Sequence, residues 1–241
     1  MCYDARMRIS GGESKGRRIA PPPRSRSAGH SGVRPTSDKV REALFSILGE
    51  RVKDAVFLEL YAGTGAVGIE AVSRGAKRAV FVDNSPRSVR LIRENLERLS
   101  CRDRSAVAAK DALVFLRKTA RELGPYDIVF ADPPYHEALS RRGACPGMYK
   151  TGAPPSTTGG KGTFPPSPSM GEGGERVNIH VPEFLELLGS AELSDVLPEG
   201  ALVAYEHFRK NPAPEHTGRL VKKKDYPYGD TVVSLYVVME G

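Results

Sequence analysis

Between residues 55 and 132, apolar segments alternate with segments of helical periodicity. Most of the apolar segments are hydrophobic on both faces, which is typical of strands in a parallel sheet that helices cover on two sides. In the segment after Ser85-Pro86, apolar residues recur with helical spacing, as Val89, Ile92 and Leu96 show. This alternation predicts an α/β domain of three layers with a mostly parallel sheet. Four strands are expected, at residues 55–60, 78–83, 105–110 and 126–132.

Further elements are predicted on both sides of this region. A helix is expected to begin at Thr36 or Ser37, which are residues suited to cap it. After residue 182 we expect another helix and then a fifth strand at 201–208. Two later strands flank Pro227–Asp230, a turn-forming segment that predicts a C-terminal antiparallel hairpin.

The chain divides into a basic N-terminal segment and one main domain. We expect an extension or short hairpin at 1–33 and the main domain at 34–241, with translation starting at Met1 or Met7. Within residues 143–174, 22 of 32 residues are Gly, Pro, Ser or Thr. That composition cannot build a packed core and predicts a low-complexity insertion in the main domain.

Positive charge is concentrated near the N-terminus. Residues 1–42 contain ten Lys or Arg and four Asp or Glu, so they carry +6 of the net charge of +7. Such asymmetry is typical of proteins that bind a polyanion, because cations that neutralise phosphates release counterions. A solvated basic tail has the same composition, and both interpretations stay open at this point.

Composition excludes several other classes of protein. No segment approaches the ~18 consecutive apolar residues of a membrane-spanning helix. Cys2, Cys101 and Cys145 are far apart, and the five histidines form neither HxH nor HExxH. Neither a disulfide framework nor a metal site is therefore expected. We expect a cytoplasmic monomer that does not associate with membranes.

A glycine-rich segment follows the first predicted strand. In ELYAGTGAVGIE (59–70), Gly63, Gly65 and Gly68 match GxGxxG, and Asp83 lies twenty residues after the first of them. Glycines there let the backbone turn sharply and approach a ligand closely, while the acid can accept hydrogen bonds from a ribose. The pattern alone fits NAD, FAD or S-adenosylmethionine (SAM).

Two further acids favour SAM. Glu59 ends the first strand, where a carboxylate can bind the amino group of the sulfonium ligand, and Asp111 follows the third strand, where it can accept from the adenine amine. With Asp83, they would meet at the edge where open α/β sheets bind their ligands. The alternative is that the three acids only cap helices.

The segment Asp132-Pro133-Pro134-Tyr135 follows the fourth strand on the same edge. Consecutive prolines fix a rigid turn, which can present the Asp132 carboxylate and the Pro133 carbonyl as two hydrogen-bond acceptors. Two acceptors suit an exocyclic amino group, and Tyr135 offers a ring on which a base can stack. The pattern predicts methylation of an amino group on a base.

At these residues the chain resembles the bacterial small-subunit ribosomal RNA guanine-N2 methyltransferases of the RsmD type. The resemblance extends from Met7 to the C-terminus, apart from the insertion, and implies a Rossmann-like methyltransferase with a seven-stranded sheet. It also implies transfer of a methyl group from SAM to the guanine usually numbered 966 in 16S rRNA, free or in a small-subunit assembly particle. It rests on RPTSDKVREALFSIL (34–48), FLELYAGTGAVGIEAVSRGA (57–76), FVD (81–83), DPPY (132–135) and YGDT (228–231).

The resemblance and the patterns together assign residues to three roles. The cofactor-binding residues are expected to be Glu59, Ala62, Gly63, Gly65, Asp83 and Asp111. The catalytic residues are expected to be Asp132, Pro133, Pro134 and Tyr135. The RNA-binding residues are expected to be Arg8, Lys15, Arg17, Arg18, Arg34 and Arg41, of which the last two could instead hold the SAM carboxylate.

Two other functions stay open. Because DPPY also serves adenine-N6 chemistry, one alternative is a DNA adenine-N6 methyltransferase. The other is a catalytically silent SAM-binding factor of ribosome assembly, in which the insertion at 143–174 blocks turnover. We further expect that removing residues 1–26 weakens RNA binding and leaves SAM binding intact.

Overall fold

A computed structural model describes residues 7–21, 38–134 and 181–240. A single mixed sheet forms its centre, in the strand order β3-β2-β1-β4-β5-β8-β7-β6. The helices are α1 (Asp38–Leu48), α2 (Ala66–Ser73), α3 (Pro86–Arg98), α4 (Ala112–Lys118), α5 (Ala120–Leu123) and α6 (Glu183–Gly189). The strands are β1 (Val56–Leu60), β2 (Arg78–Asp83), β3 (Ser105–Ala109), β4 (Ile128–Ala131), β5 (Leu202–Phe208), β6 (His216–Thr217), β7 (Leu220–Tyr228) and β8 (Thr231–Val238).

The first five strands run parallel, and the last three are added in antiparallel fashion. In the register of the central strands, Glu59 lies between Phe81 of β2 and Phe130 of β4. The carboxyl ends of β1, β2 and β4 therefore meet at one edge of the sheet. The Rossmann-like α/β fold and the C-terminal hairpin that the sequence predicts are both confirmed.

The predicted number of strands is wrong, since the sheet has eight strands rather than seven. The additional strand is β6, a pair of residues that folds back on β7. The intervening Gly218 has φ +54°, and a side chain there would collide with the backbone of Gly189. Two residues are too few to show a periodic pattern, so β6 could not be recognised from the sequence.

Apolar residues fill both faces of the sheet. On one face, Phe57, Phe81 and Phe130 pack with α1, α2 and α3, and all three are at most 2% exposed. On the other face, Leu58 and Val129 pack with α4, α5 and α6. Burial of each such side chain contributes about 1.5–3 kcal/mol to folding. No helix in the described ranges is long and apolar enough to cross a membrane.

The basic N-terminal segment packs into the same core. Arg8 and Arg18 form an antiparallel bridge, and the neighbouring Met7, Ile9 and Ile19 point inward and are at most 7% exposed. Residues 7–21 are therefore part of the domain core. A deletion of residues 1–26 would remove three core side chains, so it is not a clean test of RNA binding.

Several expectations concern residues outside the described ranges. These are the insertion at 143–174, the start of α1 at Thr36 or Ser37, and the side chains of Arg34 and Tyr135.

Candidate active site

Three acids meet at the carboxyl edge of the sheet. Glu59 and Asp83 each come two residues after a phenylalanine of the core face that carries α1–α3, and Asp132 directly follows β4. Successive side chains of a strand alternate between faces, so Glu59 and Asp83 lie on this same face. The structure thus brings the predicted cofactor residues next to the predicted catalytic segment.

The glycine-rich loop leaves β1 through a left-handed turn. Gly63 has φ +55° and Gly65 has φ +75°, values that glycine adopts without the steric cost of a side chain. The amide of Gly65 donates to the carbonyl of Ala62 over 2.7 Å. The amide of Gly63 donates to Oδ2 of Asp83 over 2.8 Å. The acid at the end of β2 therefore fixes the loop at the end of β1.

Gly68 lets α2 approach the sheet closely. A Cβ atom on Gly68 would lie 2.5 Å from Cε1 of Phe81 and 2.9 Å from Oε2 of Glu59. Without it, the Gly68 amide donates to that Glu59 oxygen over 2.8 Å. This is the packing role that the third glycine of GxGxxG has between helix and strand.

Burial gives Glu59 unusual electrostatics. The side chain is 3% exposed, and its burial raises the pKa of the carboxyl group to about 8. The amides of Gly68 and Val67 and the charge of Arg41 oppose this shift, whereas the charge of Asp83 reinforces it. A buried carboxyl group with this pKa can bind a cationic amine by giving up its proton.

The other two predicted cofactor acids support the backbone locally. Asp83 accepts from the amide of Ser85 through Oδ1, over 2.8 Å. Asp111 caps α4 by accepting from the amides of Leu113 and Val114. In this structure Asp111 therefore acts as the N-cap of α4. Both side chains are only half-buried, which leaves them accessible to a ligand at the edge.

A groove of about 500 Å³ opens beside Asp83. Its lining includes Asn84, Ala109 of β3 and several residues of α3, namely Pro86, Val89, Arg90, Arg93, Glu94 and Glu97.

Sequence reasoning missed one acid of this edge, Glu206. The register pairs Ala131 with Tyr205, so Glu206 is the β5 position next to Asp132. It follows Ala204 by two residues and so lies on the core face of Phe130, where its side chain is 5% exposed. The signal was available, because Glu206 interrupts the apolar segment ALVAYEHF.

The predicted RNA-binding cations fall into different surroundings. The side chains of Arg8, Lys15 and Arg18 are exposed on the outer side of the N-terminal segment. Arg17 donates to the carbonyl oxygens of Arg98 and Leu99 at the end of α3, where a cation is favourable for the helix dipole.

The structure contradicts the prediction that Arg41 contacts RNA. Its side chain is completely buried, and its Nε donates to Oε2 of Glu70 over 2.6 Å. Its Nη2 donates to the carbonyl of Arg8 and to Asp38. Arg41 precedes Leu44, Phe45 and Leu48 by three, four and seven residues, so helical spacing places it on the buried side of α1. Arg41 therefore joins α1, α2 and the N-terminal segment inside the protein.

Residues 7–146 match the family model described as "Conserved hypothetical protein 95". The chain belongs to this family. Ribosomal RNA small subunit methyltransferase D of Buchnera aphidicola (subsp. Acyrthosiphon pisum) is 31% identical over 139 residues, which cover 58% of this chain and 68% of that protein. YlbH of Bacillus subtilis is 26% identical over 230 residues, 95% of this chain and 98% of that protein. The RsmD-type resemblance is thereby confirmed.

Solved structures agree with this assignment. YhhF from Escherichia coli superimposes with a TM-score of 0.67 and 25% identity, covering 97% of this chain and 98% of that one. An RNA methyltransferase from Salinibacter ruber in complex with S-adenosyl-L-homocysteine gives a TM-score of 0.51 at 15% identity, over 86% of this chain and 95% of that one. The second likeness shows the shared fold.

Proposed function

We propose that the protein is a SAM-dependent methyltransferase that modifies the 2-amino group of a guanine in small-subunit rRNA. The observation that carries this proposal is the meeting of Glu59, the Gly63 loop and Asp83 with Asp132 at one sheet edge. A cofactor site and an amine-binding segment lie side by side there, as methyl transfer requires.

The residues at the edge fit SAM. Glu59 would bind the cationic amino group, Asp83 the ribose hydroxyls and Asp111 the adenine amine, while the turn at Gly63 and Gly65 leaves room for close approach of the ligand. SAM, when bound, supplies a methyl group on a positively charged sulfur. The complex of the Salinibacter ruber enzyme with S-adenosyl-L-homocysteine supports the same cofactor on this fold.

Asp132 and Pro133 would hold the acceptor amine. A carboxylate and a carbonyl oxygen that accept its two N–H bonds leave the nitrogen lone pair directed at the methyl carbon. Catalysis of this kind depends on positioning more than on acid–base strength. Transfer of the methyl group would break the S–CH3 bond and leave the neutral thioether S-adenosyl-L-homocysteine, and Asp132 would take the proton that the methylated nitrogen loses.

Glu206 favours guanine over adenine as the target base. Guanine presents two neighbouring donors, the N1–H and the 2-amino group, and the carboxylates of Asp132 and Glu206, which directly follow the paired residues Ala131 and Tyr205, would accept from them. Adenine presents an acceptor at N1, which a carboxylate would repel. The arrangement thus supports guanine-N2 chemistry over adenine-N6 chemistry.

The substrate assignment follows from the relatives and from charge. The Buchnera relative is named a small-subunit rRNA methyltransferase, and exposed Arg8, Lys15 and Arg18 offer phosphate contacts. The family resemblance points to the guanine usually numbered 966. A target base must be unstacked before it can enter the site, which is easiest in a loop.

The experiment is methylation with tritiated SAM, using free 16S rRNA and small-subunit particles that lack the modification. Digestion to nucleosides should yield N2-methylguanosine, and the comparison of the two substrates identifies the preferred one. N6-methyladenosine on DNA would replace this proposal with the first alternative. Binding of SAM and RNA without turnover, with activity restored by deletion of residues 143–174, would replace it with the silent assembly factor.

A further inference from the structure

Asn95 joins the N-terminal segment to the glycine-rich loop. This residue of α3 is completely buried. Its Oδ1 accepts from the amide of Ala20 over 2.8 Å, and its Nδ2 donates to the carbonyl oxygens of Thr64 over 3.0 Å and of Ala20 over 3.4 Å. One side-chain amide therefore uses both its donor and its acceptor atoms to connect two segments that are 44 residues apart in sequence.

Both partners belong to segments with a role in the proposed function. Thr64 stands between the left-handed Gly63 and Gly65 of the cofactor loop and is 4% exposed. Ala20 lies in the N-terminal segment, two residues after the exposed Arg18. A buried side-chain amide that loses a hydrogen-bond partner raises the free energy of the folded protein. Displacement of either segment therefore disturbs Asn95 and, through it, the position of the other segment.

The helix that carries Asn95 can transmit such a displacement. One turn before Asn95, Cγ1 of Ile92 lies 3.3 Å from the position that a Cβ atom of Gly65 would occupy. Ser85, the N-cap residue of the same helix, donates its amide to Asp83. Helix α3 thus lies against the cofactor loop at Thr64 and Gly65, and its C-terminal half contacts the N-terminal segment at Arg17 and Ala20.

We propose that Asn95 is a positioning residue that couples RNA binding to cofactor binding. RNA phosphates that hold the N-terminal segment in place keep Asn95 hydrogen-bonded to Ala20, and Asn95 in turn holds the carbonyl of Thr64 and the loop in its binding conformation. Because such coupling is reciprocal, each ligand raises the affinity for the other by the same factor. The inference rests on the proposed function, which assigns the two ligands.

The test is the affinity of the protein for tritiated S-adenosyl-L-homocysteine, measured by equilibrium dialysis with and without an unmodified 16S rRNA transcript. Asn95→Asp keeps the acceptor for the Ala20 amide and replaces the donor to the carbonyls of Thr64 and Ala20 with an oxygen that repels them. Ser73→Ala is the matched control, because Ser73 bonds Gly11 and Ser14 of the N-terminal segment but not the loop. We define the coupling factor as the ratio of the affinities for S-adenosyl-L-homocysteine with and without RNA. For the wild-type protein we expect a coupling factor of about five or more.

In Asn95→Asp the coupling factor should fall below about two, although each ligand still binds. Ser73→Ala should keep the wild-type coupling factor. A wild-type factor of one, or an Asn95→Asp factor equal to that of the wild type, overturns the inference. Hydrogen exchange of the wild-type protein gives a second readout that needs no variant. RNA should slow amide exchange at residues 62–66, and S-adenosyl-L-homocysteine should slow it at residues 17–21. Unchanged exchange in either of these two ranges overturns the coupling.

These outcomes are separable from those of the proposed function. Guanine methylation by a protein without coupling would overturn the role of Asn95 alone. Coupled binding of both ligands without methylated guanine would overturn the proposed reaction alone.

Discussion

Arg41 and Glu70 form an ion pair inside the protein, with Nε of Arg41 2.6 Å from Oε2 of Glu70 and both side chains completely buried. Glu70 also accepts from Ser10 of the N-terminal segment and from Arg74. Burial alone would raise the pKa of Glu70, but these hydrogen bonds and charges outweigh burial and lower the pKa. The pair thus joins α1 and α2 to the segment whose outer side carries the exposed cations.

Replacing Arg41 alone should destabilise the fold strongly. Arg41→Met leaves Glu70 with a buried negative charge that Arg74 only partly compensates, so the free energy of unfolding should fall by about 3 kcal/mol or more in urea denaturation. The double variant Arg41→Met/Glu70→Met removes both charges and should lose less than the single variant. Equal losses in the two variants would contradict a charge-pairing role.

The control for this prediction is an exposed ion pair. Arg102 contacts Glu97 at 2.7 Å, but both side chains are more than 60% exposed. Arg102→Ala should therefore cost less than about 1 kcal/mol.

Glu59 should make the ligand-free protein less stable as pH rises. Burial raises the pKa of its carboxyl group from 4.5 to about 8, so between these values the folded state binds more protons than the unfolded state. Stability therefore falls with increasing pH across this window, by up to about 1.4 kcal/mol for each pH unit. Glu59→Gln should remove this component. If the free energy of unfolding changes with pH in the same way in the wild type and in Glu59→Gln, the assignment to Glu59 is refuted.

The same group should release a proton when the cofactor product binds. At pH 7 Glu59 is mostly protonated in the ligand-free protein, and pairing with a cationic amine requires its ionised form. Calorimetry of S-adenosyl-L-homocysteine binding in buffers of different ionisation enthalpy should detect this proton. Glu59→Gln should lose both the proton release and most of the affinity. Proton release that persists in the variant would place its source elsewhere.

Asp132→Ala should separate methyl transfer from cofactor binding. Because Asp132 is assigned to the acceptor amine, turnover should fall at least about 100-fold, whereas affinity for S-adenosyl-L-homocysteine should stay within about twofold. Asp103→Ala, which removes an exposed acid next to β3, is the control and should change neither quantity. A loss of cofactor affinity as large as the loss of turnover would assign Asp132 to the cofactor site instead.

Local patterns in the sequence predicted most of the fold and the arrangement of the acids. The strands around Glu59, Asp83 and Asp132 are hydrophobic on both faces, and the glycine pattern fixes the turn between β1 and α2, so short segments contain the necessary information. Glu206 was accessible by the same reasoning, as an acid inside an apolar strand, but register between strands was needed to set it beside Asp132.

Long-range contacts account for what the sequence did not predict. Arg41 lies on the buried side of α1, but its partners Glu70 and the carbonyl of Arg8 are distant in sequence, so no pattern within α1 could identify them. Asn95 had a detectable signal, since it stands three residues after Ile92 on the apolar side of α3. Its partners Ala20 and Thr64 are distant in sequence, so no pattern within α3 could identify them.

The exposed cations of the N-terminal segment should bind RNA phosphates without reading sequence. Lys15 and Arg18 are both exposed, and Arg18 lies opposite Arg8 in the bridge, an arrangement of like charges that an anion would stabilise. Because each phosphate contact contributes to affinity through counterion release, Lys15→Ala/Arg18→Ala should weaken binding to the 16S rRNA transcript at least about tenfold at about 0.1 M salt. It should also reduce the slope of log affinity against log salt by about 1.4 to 1.8.

The matched control removes the same charge from the opposite face of the sheet. Lys118 and Arg121 lie on α4 and α5 and are exposed, so Lys118→Ala/Arg121→Ala should leave the salt slope unchanged. Filter binding across a salt series measures both variants, and thermal unfolding should show that the first variant keeps its stability, because neither Lys15 nor Arg18 is buried. Equal slopes in the two variants would mean that the N-terminal cations are only solvated, and the RNA would then have to contact another surface.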